Sequence, residues 1–195
     1  MYSLVKTKRR NKILLLMVIL GIILSACRNE VVTPEITPNY DQDSLTTYES
    51  SSQGISFKYP EDWFVYDGNS MIFLDLSENT LSDENILIYT NWSNAYRPRR
   101  SKSATQYAKS QIWIALKPDE FGPSTIIQDA KTISVNGREG ATYITEKEGI
   151  IQYSVIVKIT KYRIAHISGQ TDSEGLEDMK NIVNTVAYST KVLDD

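Results

Sequence analysis

The chain has 195 residues, of which 41% are hydrophobic, 23% charged and 10% aromatic, a globular composition at a one-domain length with room for appendages. The net charge of −3 is uneven: residues 1–27 hold five basic groups and no acid, leaving 16 basic against 24 acidic residues beyond them, a balance that disfavours a nucleic-acid-binding surface. One cysteine and one histidine exclude an intramolecular disulfide framework, a Cys-rich zinc site and multi-histidine metal chemistry within one chain.

Met1 to Lys12 is basic and polar, and Ile13 to Leu24 follows as an uncharged apolar run. The run falls short of the ~20 apolar residues that span a bilayer and has the order of an export signal. Leu24-Ser25-Ala26-Cys27 directly after it resembles the bacterial lipoprotein signal, in which small residues precede a cysteine that is lipidated and becomes the new N-terminus. The resemblance implies cleavage of residues 1–26, lipid attachment at Cys27 and a mature chain on the extracytoplasmic side of the cell membrane. The competing reading is a short uncleaved anchor. Two or three acyl chains suffice for a stable anchor, because each buried methylene contributes ~0.8 kcal/mol. Arg28 stands where an aspartate would signal inner-membrane retention in double-membraned bacteria.

Residues 27–52 read as the lipidated cysteine and a flexible tether. Arg28 to Ser52 has two prolines, eight serine or threonine residues and five acidic groups against one basic, too little apolar surface to offset its ordering entropy. Docking of Val31, Val32 or Tyr40 on the domain is the alternative. The folded domain is expected over residues 53–195. Ile55 to Tyr59 alternates as a half-buried strand ended by Pro60, and Trp63 to Tyr66, Met71 to Leu76 and Asn85 to Trp92 read as further strands. Ser103 and Gln106 form a capping box for a helix that ends before Pro118, with Trp113 and Ile114 widening an apolar face expected to be covered. Asn136-Gly137 is the preferred pair for a two-residue hairpin turn. Turns at Lys147-Glu148-Gly149 and Thr160-Lys161 extend it to a four-stranded meander. Leu176, Met179, Ile182, Val183 and Val186 recur at helical spacing, with Thr171 and Glu174 as the expected capping box.

Three pieces of this order resemble the PsbP-like family, extracytoplasmic domains sharing a fold with a Ran-binding nuclear import factor. They are the opening Gly54-Ile55-Ser56-Phe57-Lys58-Tyr59-Pro60-Glu61-Asp62-Trp63, the Val135-Asn136-Gly137-Arg138 hairpin, and the closing helix after the meander. The resemblance covers about residues 53–189 and implies an α+β fold: an antiparallel sheet of about six or seven strands sandwiched by two main helices. It implies function weakly, since one fold hosts many functions.

The chemistry-bearing patterns are sparse. His166 stands alone on an apolar strand and reads as packed structure. No Gly-x-Ser-x-Gly elbow or phosphate loop is present. Asp172, Glu174, Glu177 and Asp178 precede or open a helix, where carboxylates favour the positive dipole end. No catalytic residue, metal site or cofactor is expected. Arg97, Arg99, Arg100 and Lys102, with Trp92 and Tyr96 before them, concentrate positive charge in a loop and suggest an anionic partner: lipid headgroups, an envelope polymer or an acidic protein patch. The ordinary reading is a solvated loop neutralised by the domain's own acids. The expected function is a lipid-anchored binding or accessory module that docks a partner protein or envelope component. The alternatives are a small-ligand carrier with a pocket between sheet and helix, and an enzyme, which the missing nucleophile and base disfavour.

Overall fold

A computed structural model describes residues 33–68, 71–78, 84–92, 103–117 and 123–193. Thr33–Asp195 forms one compact unit. Its larger sheet has eight strands: β1 (Glu35–Ile36), β4 (Phe64–Asp67), β5 (Ile72–Asp75), β6 (Asn85–Trp92), β7 (Thr125–Val135), β8 (Arg138–Lys147), β9 (Ile150–Lys158) and β10 (Arg163–Thr171). Their spatial order is β1-β7-β8-β9-β10-β6-β5-β4, antiparallel throughout except for the short parallel β1–β7 pair. A three-stranded sheet, β11 (Lys191–Val192), β3 (Ile55–Pro60) and β2 (Leu45–Ser50), completes the strands. Helices α1 (Ala104–Ala115) and α2 (Leu176–Ser189) pack on the larger sheet, giving the α+β architecture expected, with eight strands in the main sheet rather than six or seven.

Turn chemistry sets the meander. Asn136 and Gly137 take φ of 52° and 70°, and Glu148 and Gly149 take 53° and 83°, so two tight turns adopt the positive φ of hairpin connections. Arg138 follows the first turn and donates to the carbonyls of Ala187, Tyr188 and Thr190. Its charge therefore sits where the closing turn of α2 leaves carbonyls unsatisfied. The Val-Asn-Gly-Arg sequence is thus a joint between hairpin and helix.

The two faces of the main sheet differ. The α2 face carries Val155, Val157, Ala165 and Ile167, which cluster with Ile55 and Phe57 of the small sheet, Trp63, and Met179, Val183 and Val186 of α2. The other face is covered in part by α1, whose Ala104, Tyr107, Ala108 and Ile112 cluster with Ala141, Tyr143, Ile156 and Ile164.

Several expectations change. The segment read as a tether supplies β1 and β2 from Glu35 onward; β2 pairs along all of β3. Its Ser50 and Tyr48, with Ser52, also donate to the Asp67 carboxylate of β4, tying the two sheets together. The first helix has the expected capping box of Ser103 and Gln106. Trp113 and Ile114, however, are 62% and 55% exposed, because α1 rests on the sheet through a narrower stripe and Lys117 instead lies over the Trp113 ring. The second helix lacks the Thr171–Glu174 box: its N-cap is Gly175, without a side-chain cap. Asp172 accepts from the backbone N–H groups of Glu174 and Gly175 just before it.

Candidate functional site

Cys27, Tyr96, Arg97, Arg99, Arg100 and Lys102 lie outside the described residues. Trp92 closes β6, and its side chain lies outside the description. Two places among the described residues gather polar chemistry instead, and both lie on the α1 face of the sheet.

The first is enclosed. His166 is 2% exposed and is opposed across the sheet by Tyr89 of β6 and Ile156 of β9. The Tyr89 hydroxyl bonds its Nδ1, and the Tyr143 hydroxyl lies 3.2 Å from Nε2. From α1, Tyr107 presents its ring edge-on at 6.1 Å. A neutral imidazole donates from one nitrogen and accepts at the other, so one tyrosine must accept from it and the other donate to it. Burial drives the imidazole pKa down to about 3, because desolvation penalises the charged form. Burial likewise pushes the Tyr143 phenol up to about 12 and raises that of Tyr89. At neutral pH the cluster is uncharged and its imidazole is buried, with Tyr89 half-buried beside it, which suits hydrogen bonding and not proton transfer to a substrate.

The second place is the continuation of the first. One row along the strands, Tyr143, Ser154 and Ser168 stand side by side. Tyr143 is hydrogen-bonded to Ser154, the Ser154 and Ser168 hydroxyls are 2.7 Å apart, and Gln152 donates its amide N–H to Ser168. A chain of hydrogen bonds therefore leads from buried His166 to Gln152. The next row aligns Thr145 of β8, Gln152 of β9 and Gln170 of β10. These three, with Ser124, Lys147, Glu148 and Ile150, line an open depression of about 370 Å³, beside the carboxyl end of α1, where the Ser124 N–H bonds the Ala115 carbonyl. We refer to it as the polar shelf. Sequence reasoning missed it, since Thr145, Gln152 and Gln170 come from three strands and only register brings them together.

A further depression of about 380 Å³ opens at the amino end of α2. Tyr40, Trp63, Asp62 and Asp178 line it; burial, then Asp62 and Asp178, raise the Tyr40 pKa. Asp178 lies in the first turn of α2, where the helix dipole accounts for it. Trp63 is buried in the main core. Among the described residues no group of three or more His, Cys, Asp or Glu side chains is placed to hold a metal ion. No helix among them is long and apolar enough to cross a membrane.

No family model matches the chain, and no curated protein matches it by sequence. Solved structures do. The solution structure of cyanobacterial PsbP (CyanoP) from Synechocystis sp. PCC 6803 is 16% identical with a TM-score of 0.57, covering 80% of this chain and 96% of that one. A protein from Bacteroides thetaiotaomicron is 16% identical with a TM-score of 0.48, covering 78% of this chain and 50% of that one. LpqN, involved in cell envelope biogenesis of Mycobacterium tuberculosis, is 12% identical with a TM-score of 0.44, covering 80% and 88%. At these identities the likeness concerns architecture, and the chain shares the fold of cyanobacterial PsbP.

Proposed function

We propose that the protein is a lipid-anchored, extracytoplasmic binding module that docks a component of the cell envelope. The observation that carries this reading is the polar shelf, where Thr145, Gln152 and Gln170 from three adjacent strands line an open depression. Such groups reward a partner that completes them. The enclosed, neutral His166 supports binding over catalysis, since the chain's single histidine is no base at neutral pH. The Leu24-Ser25-Ala26-Cys27 sequence supports anchoring through Cys27 after release of residues 1–26. The basic segment Arg97 to Lys102 supports an additional contact to an anionic surface, worth ~1 kcal/mol per charge near a membrane.

The test is co-purification from crosslinked membranes of cells carrying the wild-type chain or Cys27→Ser. A specific envelope component recovered with the wild type, and an unlipidated precursor from Cys27→Ser, are expected. Recovery of no specific component, or maturation of Cys27→Ser to the same mass and membrane partitioning, overturns the corresponding half of the reading.

A further inference from the structure

The carboxyl end of α1 and the amino end of β7 leave large apolar side chains in solvent. Trp113, Ile114 and Leu116 are exposed at the first, Ile126 and Ile127 at the second. The Ser124 N–H bonds the Ala115 carbonyl, so the two groups meet at one corner of the fold. Ile127 falls in the register shift between Ile126 and Gln128, where a strand residue has no cross-strand neighbour. Five of the eight large hydrophobic side chains exposed among the described residues gather at this corner. Scattered singly they would need no explanation; gathered, they mark an interaction surface.

The charge beside them is of one sign along the helix. α1 contains Lys109 and no acid, and Lys117, just past its end, lies over the Trp113 ring. Lys109, Trp113 and Lys117 are four residues apart in turn and all exposed, so they share one face. A tryptophan, aliphatic side chains and long lysine stems together suit the headgroup level of a bilayer.

The route of the chain into the domain supplies the bilayer. β1 runs parallel to β7 and pairs with it at Ser134 and Val135. The chain therefore enters β1 from the side on which β7 begins, where Ile126 and Ile127 stand. Cys27 lies six residues before Thr33, and six residues reach at most ~20 Å. A lipid on Cys27 thus keeps the β1–β7 edge near the membrane and gives the corner a high effective concentration of phospholipid. Helix α1 packs over β7 and β8, at this same edge, whereas β4 forms the opposite edge. A second copy of the chain is a poorer occupant. An isologous contact sets the face against itself and brings lysines toward lysines, with no acid on α1 to pair them.

We infer that the corner formed by Trp113, Ile114, Leu116, Ile126 and Ile127 rests on the phospholipid bilayer that holds the Cys27 lipid, with α1 lying along the headgroups. This rests on the lipid-anchor reading and adds an orientation to it: the β1–β7 edge faces the membrane and the β4 edge faces away.

The experiment takes the mature lipidated chain in vesicles of phosphatidylcholine and phosphatidylglycerol, with and without brominated acyl chains, and reads the quenching of tryptophan emission. The wild type should be quenched more than Trp113→Phe, the difference being the contribution of position 113. Phe64→Trp in the Trp113→Phe background puts a tryptophan at the exposed β4 edge and should add no quenching. Ile114→Asn with Ile127→Asn should abolish the quenching at 113. Both side chains are exposed, so the melting temperature and the lipid mass on Cys27 should stay as in the wild type. Equal quenching of wild type and Trp113→Phe overturns the inference, as does equal quenching at positions 64 and 113, or quenching at 113 that survives the two asparagines. Self-association of the detergent-solubilised chain that the same two asparagines abolish would give the face to a second copy and overturn it as well. Lipid mass on Cys27 without quenching at 113 removes this inference alone; a mature chain without that mass removes the anchor reading and the inference with it.

Discussion

Burial of His166 makes folding stability depend on pH between 7 and 5, above the range where ordinary carboxylates titrate. The folded imidazole titrates at about 3, against 6.5 for the free side chain. Between those values the unfolded chain binds more protons than the native one, so stability is complete above pH 6.5 and falls as pH drops toward 3. Going from pH 7 to pH 5 should cost about 2 kcal/mol from this one group, at ~1.4 kcal/mol per pH unit below 6.5. For a unit of this size that is a fall of roughly 4–8 °C in melting temperature. The physical origin is specific: Tyr89, Tyr107, Tyr143 and Ile156 surround the ring, and none of them can carry a compensating negative charge at these pH values. The assay is urea unfolding of the wild type and His166→Gln at pH 7, 6 and 5. Glutamine keeps a donor and an acceptor but has no titration. The variant should start less stable and lose less on acidification, so that the difference between the two proteins shrinks by about 2 kcal/mol. Parallel pH profiles would refute the argument, because the carboxylates are common to both proteins.

Arg138→Ala removes the charged cap over the last carbonyls of α2 and should destabilise by about 1.5–3 kcal/mol, the value of hydrogen bonds to a charged group; denaturant midpoints at unchanged slope would show it. Gly169→Ala would drive its Cβ into Met179 Sδ and place it 2.6 Å from Val183 Cγ2, forcing α2 off the sheet at a cost of about 1–3 kcal/mol, read from thermal unfolding. Ser168→Ala alone strips partners from Ser154 and Gln152 and should cost about 1–3 kcal/mol. Adding Ser154→Ala should recover part of that loss, a positive coupling of about 0.5–3 kcal/mol in a double-mutant cycle.

Local chemistry made the meander and the first helix legible. Asn136-Gly137 and Glu148-Gly149 need positive φ that few residues supply, and Ser103 with Gln106 satisfies orphan amides by itself. What escaped the sequence depends on distant partners. Leu45-Thr46-Thr47-Tyr48 resembles a polar spacer until β3 provides a ladder for it. The apolar spacing of α1 is the same whether Trp113 is covered or not, since periodicity fixes an angle around the helix and not what lies beside it. The start of α2 moved because Asp172, not Thr171, turned out to satisfy the backbone before the first turn. The two depressions could not be read at all, because each draws its lining from several elements.

Strand β9 concentrates the logic of the molecule in nine residues. Ile151, Tyr153, Val155 and Val157 all enter the core beneath α2, and that face alone joins both sheets, Trp63 and the helix. The alternate positions, Gln152, Ser154 and Ile156, belong to the α1 face and change from polar to apolar along the strand toward His166. Adjacent strands repeat the gradient: Gln170, Ser168, His166 and Ile164 on β10, and Thr145, Tyr143 and Ala141 on β8. A strand needs only one apolar face to be held in a sheet. With that face committed to α2, the other is free to carry a polar row at the end that α1 does not cover. The gradient therefore divides these strands between a face packed throughout under α2 and a face that is apolar beneath α1 and polar beyond it.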